Sequence, residues 1–439
     1  MSAVVPTVSG VSASAEILTV HFFIELTVII LISRLVAWFA QAYLGQTKSV
    51  GEIMAGLALG PSVFGFLFPE TFSSFFNDDV STAFTIISQF GLLLLMFHMG
   101  LEFDVSLEFK ERKKAVVLIS VLGIAFPFGL GVATASWFWG LIDSPTSDLL
   151  EFSLFMGVAM SITAIPILGR IFMELGLEHT RIAALTIGAA AIDDMIGWIL
   201  LGLVSALALS NLDGVSFFIK IALLICYVFL MLSVIGPFAR KKIDSHIQSR
   251  GKMDISLLSF LIVVLMISAL ITSKLGVFAI AGGIIVGIAL QKSSYIKNEW
   301  QDKVAPLVYT VLLPVFFTYT GLRTDIGSLS TMADVWAAVV LCIIAFGGKF
   351  LGGYIAARIS GEANRDAIII GVCMNTRALM ELIVINVAYD LGILPKKIFT
   401  MLVFMALIST FITTPIIKIL LKNQLNRSKS AAVLQAKAL

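Results

Sequence analysis

Charged residues are scarce in this sequence. Aspartate, glutamate, lysine and arginine make up 13% of its 439 residues, about half of the roughly 25% that is usual in a soluble domain. The hydrophobic share of 59% is more than the core of a soluble protein needs. A soluble globular fold is therefore excluded, and the composition indicates a chain whose solvent is largely a lipid bilayer.

Cysteine is also rare, and net charge is nearly absent. Cys226, Cys342 and Cys373 lie in apolar runs and form no CxxC motif, which argues against a disulfide framework and a zinc site. The formal net charge of +2 is too small to indicate nucleic-acid binding. We therefore expect neither a cofactor nor a nucleic-acid partner.

Apolar runs, by contrast, recur from Leu18 to Leu420. A helix crosses the bilayer with about 20 residues, and glycine, proline and charged residues divide these runs into thirteen such segments. The predicted spans are 17–41, 50–67, 80–100, 114–141, 149–172, 181–208, 215–238, 254–274, 276–291, 303–322, 332–358, 366–389 and 398–421. The sequence thus predicts an all-α polytopic membrane protein.

The basic residues orient these spans. Successive segments between the spans lie on opposite sides of the membrane. The segments on one side contain only Lys274, Arg323, Lys396 and Lys397, and those on the other side contain most of the 30 lysines and arginines. Because cytoplasmic loops are enriched in basic residues, we expect the N-terminus outside and the C-terminus in the cytoplasm. The membrane is either the cell membrane or an internal one.

Three short sequence segments each resemble a segment seven spans later, and the three pairs keep the same order. They are 55–59 with 286–290, 100–104 with 321–325, and 157–160 with 371–374. Seven is odd, so the two halves of the chain are predicted to have opposite orientations in the membrane. Inverted repeats of this kind are typical of alternating-access transporters, which bind substrate near the midplane, often at interrupted helices.

Two adjacent carboxylates, Asp193 and Asp194, lie in the middle of the sixth span. A charged residue at that depth is costly, so it indicates a functional site. Either aspartate could instead neutralise a buried basic residue. Lys349, among four glycines in the eleventh span, is such a residue, and it could form a fixed ion pair or gain and lose a proton.

Polar residues also interrupt the fifth and twelfth spans. They are Ser161, Thr163, Pro166, Asn375, Thr376, Arg377 and Glu381. Pro166 leaves a helical carbonyl without its donor, which favours a broken helix but also fits an ordinary kink. Arg377 and Glu381 are four residues apart and can form an ion pair on one helix face, so a structural role is favoured for both.

Together these residues resemble the monovalent cation:proton antiporter-2 family over nearly the whole chain. The resemblance rests on residues 51–62, 99–102, the Asp193–Asp194 pair, 348–350, and 375–377 with 381–382. It implies that Asp194 binds the ion, that Asp193 is the partner of Lys349, and that Thr163 contributes to the site.

The resemblance also implies a homodimer with two kinds of domain. A dimerising panel would comprise 17–110 and 254–325, and a moving core would comprise 111–210 and 326–422. A linker helix with a loop (211–253) would connect them, with tails at 1–16 and 423–439.

The predicted function is exchange of Na+ or K+ for protons by alternating access, with the monovalent cation bound at Asp194. Resemblance to paired-aspartate members favours two protons per cation. A sodium-coupled solute symporter is the alternative. An intramembrane aspartyl protease is excluded, because its two aspartates must face each other across a gap, which neighbours on one helix cannot do.

Overall fold

The computed structural model describes residues 8–46, 48–76, 78–102, 113–142, 147–163, 168, 172, 180–209, 214–275, 279–377 and 379–437, and throughout these residues regular structure is helical only. Within these described residues, ten helices are long and apolar enough to cross a membrane, and Leu149–Ser161 and Ala279–Leu290 are two shorter apolar helices. Each of the thirteen predicted spans contains helical residues. The predicted all-α membrane fold is confirmed.

The helices are, in chain order, α1 (Val8–Tyr43), α2 (Lys48–Leu59), α3 (Phe64–Leu67), α4 (Pro69–Phe75), α5 (Asp78–Glu102), α6 (Lys113–Trp139), α7 (Leu149–Ser161), α8 (Arg181–Leu209), α9 (Gly214–Leu230), α10 (Gly236–Arg250), α11 (Ile255–Lys274), α12 (Ala279–Leu290), α13 (Ser294–Lys303), α14 (Ala305–Leu307), α15 (Leu313–Leu322), α16 (Met332–Ile359), α17 (Asn364–Cys373), α18 (Leu379–Asp390) and α19 (Lys396–Lys437). Short π-helical turns join α9 to α10 (Met231–Ile235) and α14 to α15 (Val308–Leu312), and a 3-10 turn (Ile326–Ser328) precedes α16.

Several helices extend beyond the predicted spans. α1 begins at Val8, inside the predicted tail, and α19 continues to Lys437 through the other predicted tail. The linker is helical up to Arg250, although the sequence predicted that a loop begins at 239. Charged residues mark where the membrane ends, but lysine, arginine and glutamate are good helix formers, so the backbone hydrogen bonds continue past them.

Glycines allow close helix contacts, and two of these contacts involve residues of the predicted repeat. A Cβ atom on Gly56 of α2 would lie 2.8 Å from Cα of Gly321 in α15, and one on Gly100 of α5 would lie 2.9 Å from Cα of Gly287 in α12. Small residues permit this close packing in membranes. The predicted repeat pairs Gly56 with Gly287 and Gly100 with Gly321, so it exchanges one contact for the other. Two related halves would do this in either orientation, and the inverted orientation stays a prediction.

One group of helices packs around the paired aspartates. α6 packs against α7, α8 and α16, while α17 packs against α16 and α19. α16 begins with a capping box between Thr331 and Asp334, and the chain turns at Gly361, whose φ of 84° suits glycine. These ends fix the length of the helix that carries Lys349.

Two helices stop abruptly inside the bundle. α7 ends at Ser161, and Ile162 has extended backbone angles, φ −85° and ψ 143°. α17 ends at Cys373 and α18 begins at Leu379, so the chain is interrupted where the sequence predicted it, at Asn375–Arg377. Pro166, predicted to interrupt the fifth span, lies outside the described residues. Backbone groups freed at such ends can face a polar centre.

Candidate functional site

The Asp193 carboxylate is the centre of a completely buried polar cluster. Lys349 Nζ donates to its Oδ2 at 2.8 Å, and both side chains are 0% exposed. Ser120 of α6 donates to Oδ1 at 2.6 Å. A buried charge is tolerated when it is paired and hydrogen-bonded, and both conditions are met here.

Thr163 connects this cluster to both helix interruptions. Its Oγ1 lies 2.7 Å from Asp193 Oδ2, to which it donates, and 3.2 Å from the carbonyl oxygen of Met374. Thr163 follows the end of α7, and Met374 follows the end of α17. The two interruptions therefore meet beside the carboxylate.

Lys349 also stabilises the end of α7. Besides Asp193, its ammonium group donates to the backbone carbonyl of Ser161, the last residue of that helix. The final carbonyls of a helix have no donor within it and carry partial negative charge. One buried lysine thus holds together α8, α16 and the end of α7.

Asp194 points in a different direction from Asp193. Neighbouring residues on a helix are about 100° apart, and Asp194 is 6% exposed whereas Asp193 is 0% exposed. Both carboxylates are buried, and Asp193, which three side chains contact, is the more completely enclosed of the two.

Arg377 joins the two interruptions from the other side. Its guanidinium donates to the carbonyls of Met160 at 2.8 Å, Ala345 at 3.2 Å and Ala159 at 3.3 Å. It also forms an ion pair of 3.0 Å with Glu381, and both side chains are buried. Two of its bonds go to carbonyls near the end of α7 and one goes to a carbonyl of α16, while the ion pair with Glu381 is the contact that the four-residue spacing predicted.

The other predicted residues make local contacts. Asn375 donates to the Gly371 carbonyl at 3.1 Å, and Thr376 donates to the Cys373 carbonyl at 3.0 Å. The hydroxyl of Ser161 donates to the Val158 carbonyl at 2.9 Å. Of the residues predicted from the sequence, Thr163 and Lys349 therefore contact Asp193 with their side chains, and Ser161 reaches the cluster only through its backbone carbonyl.

Two contributors were missed from the sequence. Ser120 binds Asp193 directly, and Thr410 of α19 holds the second interruption, since its hydroxyl accepts from the Arg377 amide at 3.2 Å and donates to the Arg377 carbonyl at 2.7 Å. A single hydroxyl in an apolar helix usually bonds its own helix. Nothing in the sequence distinguishes these two from the others.

The cluster offers carboxylate, hydroxyl and carbonyl oxygens, the ligands that hard cations prefer. Across the described part of the chain, no group of three or more His, Cys, Asp or Glu side chains is arranged to hold a metal ion. A cation at this place would bind to a carboxylate together with neutral oxygens.

Comparison with known proteins gives consistent results. Residues 27–423 match the family model described as sodium/hydrogen exchanger, transmembrane. A Na(+)/H(+) antiporter of Synechocystis, NhaS4, is 35% identical over 396 residues, which cover 90% of this chain and 95% of that protein. Cation/H(+) antiporter 19 of Arabidopsis thaliana is 34% identical over 91% of this chain, and K(+)/H(+) antiporter 1 of Saccharomyces cerevisiae is 30% identical over 90%.

The chain spans only 49% and 46% of the plant and yeast proteins. Among solved structures, the sodium proton antiporter MjNhaP1 of Methanocaldococcus jannaschii superposes with a TM-score of 0.63. The alignment covers 93% of this chain and 98% of that one at 15% identity. At this level of identity the likeness establishes a shared fold.

Proposed function

Because the chain belongs to the sodium/hydrogen exchanger family, we propose that it exchanges a monovalent cation, Na+ or K+, for protons across a membrane. The observation that carries this proposal is the buried Asp193–Lys349 pair beside Asp194, where two helix interruptions meet. The relatives are named as antiporters of sodium, of potassium or of cations in general. The comparisons do not support the sodium-coupled symporter that the sequence left open.

Asp194 is the proposed binding group for both the cation and the proton. A protonated carboxyl has no charge to attract a cation, and a bound cation displaces the proton. Competition for one group therefore couples the two fluxes without a separate gate. Asp194 suits this role better than Asp193, because Asp193 is completely enclosed and neutralised by Lys349, whereas Asp194 is 6% exposed.

Asp193 and Lys349 set the proposed stoichiometry. In this conformation the ammonium is neutralised by Asp193 at 2.8 Å. If cation binding separates the pair, Lys349 loses the carboxylate that stabilises its charge and releases a second proton. Two protons then exchange for one cation, and transport moves net charge. A pair that stays closed makes exchange electroneutral.

Alternating access follows from the two groups of helices. We assign α1, α2, α5, α11, α12 and α15 to the panel that forms a homodimer, and α6, α7, α8, α16, α17, α18 and α19 to the core that carries the ion. The linker α9–α10 lets the core move against the panel. The N-terminus is outside and the C-terminus is cytoplasmic, in a cell membrane or an internal membrane.

The test is transport by the purified protein in proteoliposomes. Internal pH is followed while Na+, K+ or Li+ is added outside, with and without an imposed membrane potential. We expect cation-driven proton movement that changes with the potential. Proton movement driven by none of the three ions would overturn the antiport proposal, and movement insensitive to potential would overturn the two-proton scheme alone.

A further inference from the structure

A small polar cavity lies away from the aspartate cluster, at the end of α18. It has a volume of about 20 Å³ and lies between α5, α15 and α18, and a volume of this size holds about one water molecule. Its polar lining includes Ser88, Gln89, Thr320, Asn386 and Asp390. The orientation proposed above places this cavity at the outer face of the membrane.

Arg323, which follows the end of α15, lines this cavity. Its guanidinium donates to Asp390 at 2.6 Å and to Asn386 Oδ1 at 3.3 Å. The side chains of Arg323 and Asp390 are 22% and 24% exposed. The Asn386 amide in turn donates to Thr320 at 3.0 Å, so the groups that face Arg323 are themselves oriented.

Two tyrosines fix the position of this guanidinium. Its central carbon lies 5.2 Å from the ring centroid of Tyr319 and 5.1 Å from that of Tyr389. Aromatic faces attract cations at such distances. Arg323 is therefore bound as a cationic ligand would be, by a carboxylate, an amide oxygen and two aromatic faces.

Ser88 gives an independent indication that the cavity accepts a ligand. It is 5% exposed and lines the cavity, and its Oγ has no hydrogen-bond partner among the residues that the structure describes. A buried hydroxyl without a partner is unfavourable by about 1–3 kcal/mol unless water or an ion binds it. The cavity is thus lined by oxygens, one of which is unused.

We propose that this cavity is a second, transient site for the transported cation and that Arg323 is a tethered cation that occupies it while the outer entrance is closed. The transported ion displaces Arg323 from Asp390 as it enters or leaves. The proposal rests on the antiport function above and adds an outer site to it.

The position of the cavity suits such a role. α18 runs over 12 residues from the second interruption to Asp390, a distance of about 18 Å. Arg323 belongs to the proposed panel, and Asp390 belongs to the proposed core. The ion pair thus joins the two groups that must separate when the outer side opens.

The first test measures cation affinity from each side of the membrane. Arg323→Gln should lower the KM for cation supplied from the outer side by about three- to thirtyfold, the effect of removing one charge a few ångströms away in a partly hydrated cleft. It should not lower the inner KM, because the loss of the ion pair does not favour the inward-facing state. Asp390→Asn should raise the outer KM. The matched control is Lys396→Gln, because Lys396 has the same charge and pairs with Asp325 at 2.9 Å without lining the cavity.

An effect of Lys396→Gln equal to that of Arg323→Gln would reduce the result to general surface charge and overturn the proposal. Equal changes in the inner and outer KM would overturn it as well.

The second test does not depend on transport. In a protein with Cys226 and Cys342 replaced by serine, Ser88→Cys is exposed to a membrane-impermeant maleimide from outside. We expect slow labelling with Arg323 present and fast labelling when Arg323→Gln is added. Equal rates would show that Arg323 does not close the cavity. If the unmodified protein transports no cation, the antiport function fails, while the labelling rates still decide whether Arg323 closes this cavity.

Discussion

At the scale of single residues, the site depends on a paired carboxylate and ammonium and on hydroxyls that reach the carboxylate from other parts of the chain. Asp193, Asp194 and Lys349 are identified by sequence because an ionised side chain in an apolar helix needs a compensating partner. The pairing of Asp193 with Lys349 is implied by the family resemblance and is foreseeable on that ground. Ser120 and Thr410 are not, because whether a hydroxyl bonds its own helix or a neighbour depends on how the helices are rotated against one another.

If Asp193 and Lys349 form an ion pair, we expect the single variant to be less stable than the double variant. Asp193→Asn removes one charge and leaves the Lys349 ammonium buried without its counter-ion, a change that typically costs about 3–5 kcal/mol. Adding Lys349→Gln removes the isolated charge and should recover much of the loss. Thermal unfolding in detergent would show this as a large drop in Tm for the single variant and a smaller one for the double variant. A double variant less stable than Asp193→Asn would contradict the ion pair as the origin of the effect.

At the scale of helices, sequence located the membrane spans but not the helix ends. Apolar length determines where a helix can cross, whereas hydrogen bonding within the chain determines where it stops. The interruption at Asn375–Arg377 was predictable because polar residues there break an apolar run, and α10 was missed because its charged residues are compatible with both a loop and a helix. The hydrogen bonds that stabilise this interruption come from a residue of α19. Because α19 is distant in sequence, those bonds could not be predicted.

Thr410 is expected to hold the second interruption. Thr410→Val keeps the shape of the side chain but removes both bonds to the Arg377 backbone. Leaving those buried groups without a partner should reduce the free energy of unfolding by about 1–3 kcal/mol, and slower transport should accompany the loss.

The matched control is Thr186→Val. Thr186 is equally buried, but its hydroxyl bonds only its own helix, at the Ile182 carbonyl 2.7 Å away. If Thr186→Val lowers Tm as much as Thr410→Val does, then Thr410 has no special part in holding the interruption.

At the scale of the whole molecule, the internal sequence repeat can be compared with the contacts between helices. Three weak sequence matches predicted inverted halves, and the repeat relates the Gly56–Gly321 contact to the Gly100–Gly287 contact. The orientation of the halves stays a prediction. The packing distances themselves were not predictable, since they depend on which small residues face each other.

The two glycine contacts should be equally sensitive to added volume. Gly56→Ala places a methyl group 2.1 Å from the Thr318 carbonyl oxygen, and Gly287→Ala places one 2.5 Å from the Phe97 carbonyl oxygen. Both helices would have to move apart, so we expect each variant to lose about 1–3 kcal/mol. Tm measurements in detergent would report the two losses.

The control for these variants is Gly347→Ala, where nothing lies within 4 Å. Because alanine favours a helix over glycine by about 1 kcal/mol, this variant should be neutral or slightly more stable. Similar losses in all three variants would contradict close packing as the cause.

The central claim is that one carboxylate, Asp194, binds either the cation or a proton. The most direct measurement is the number of protons released per cation bound by the purified protein, obtained by calorimetry in buffers of different ionisation enthalpy. We expect close to two protons per cation in the unmodified protein, close to one in Lys349→Gln, and no cation binding in Asp194→Asn. Cation binding without proton release, or unchanged binding in Asp194→Asn, would contradict the account.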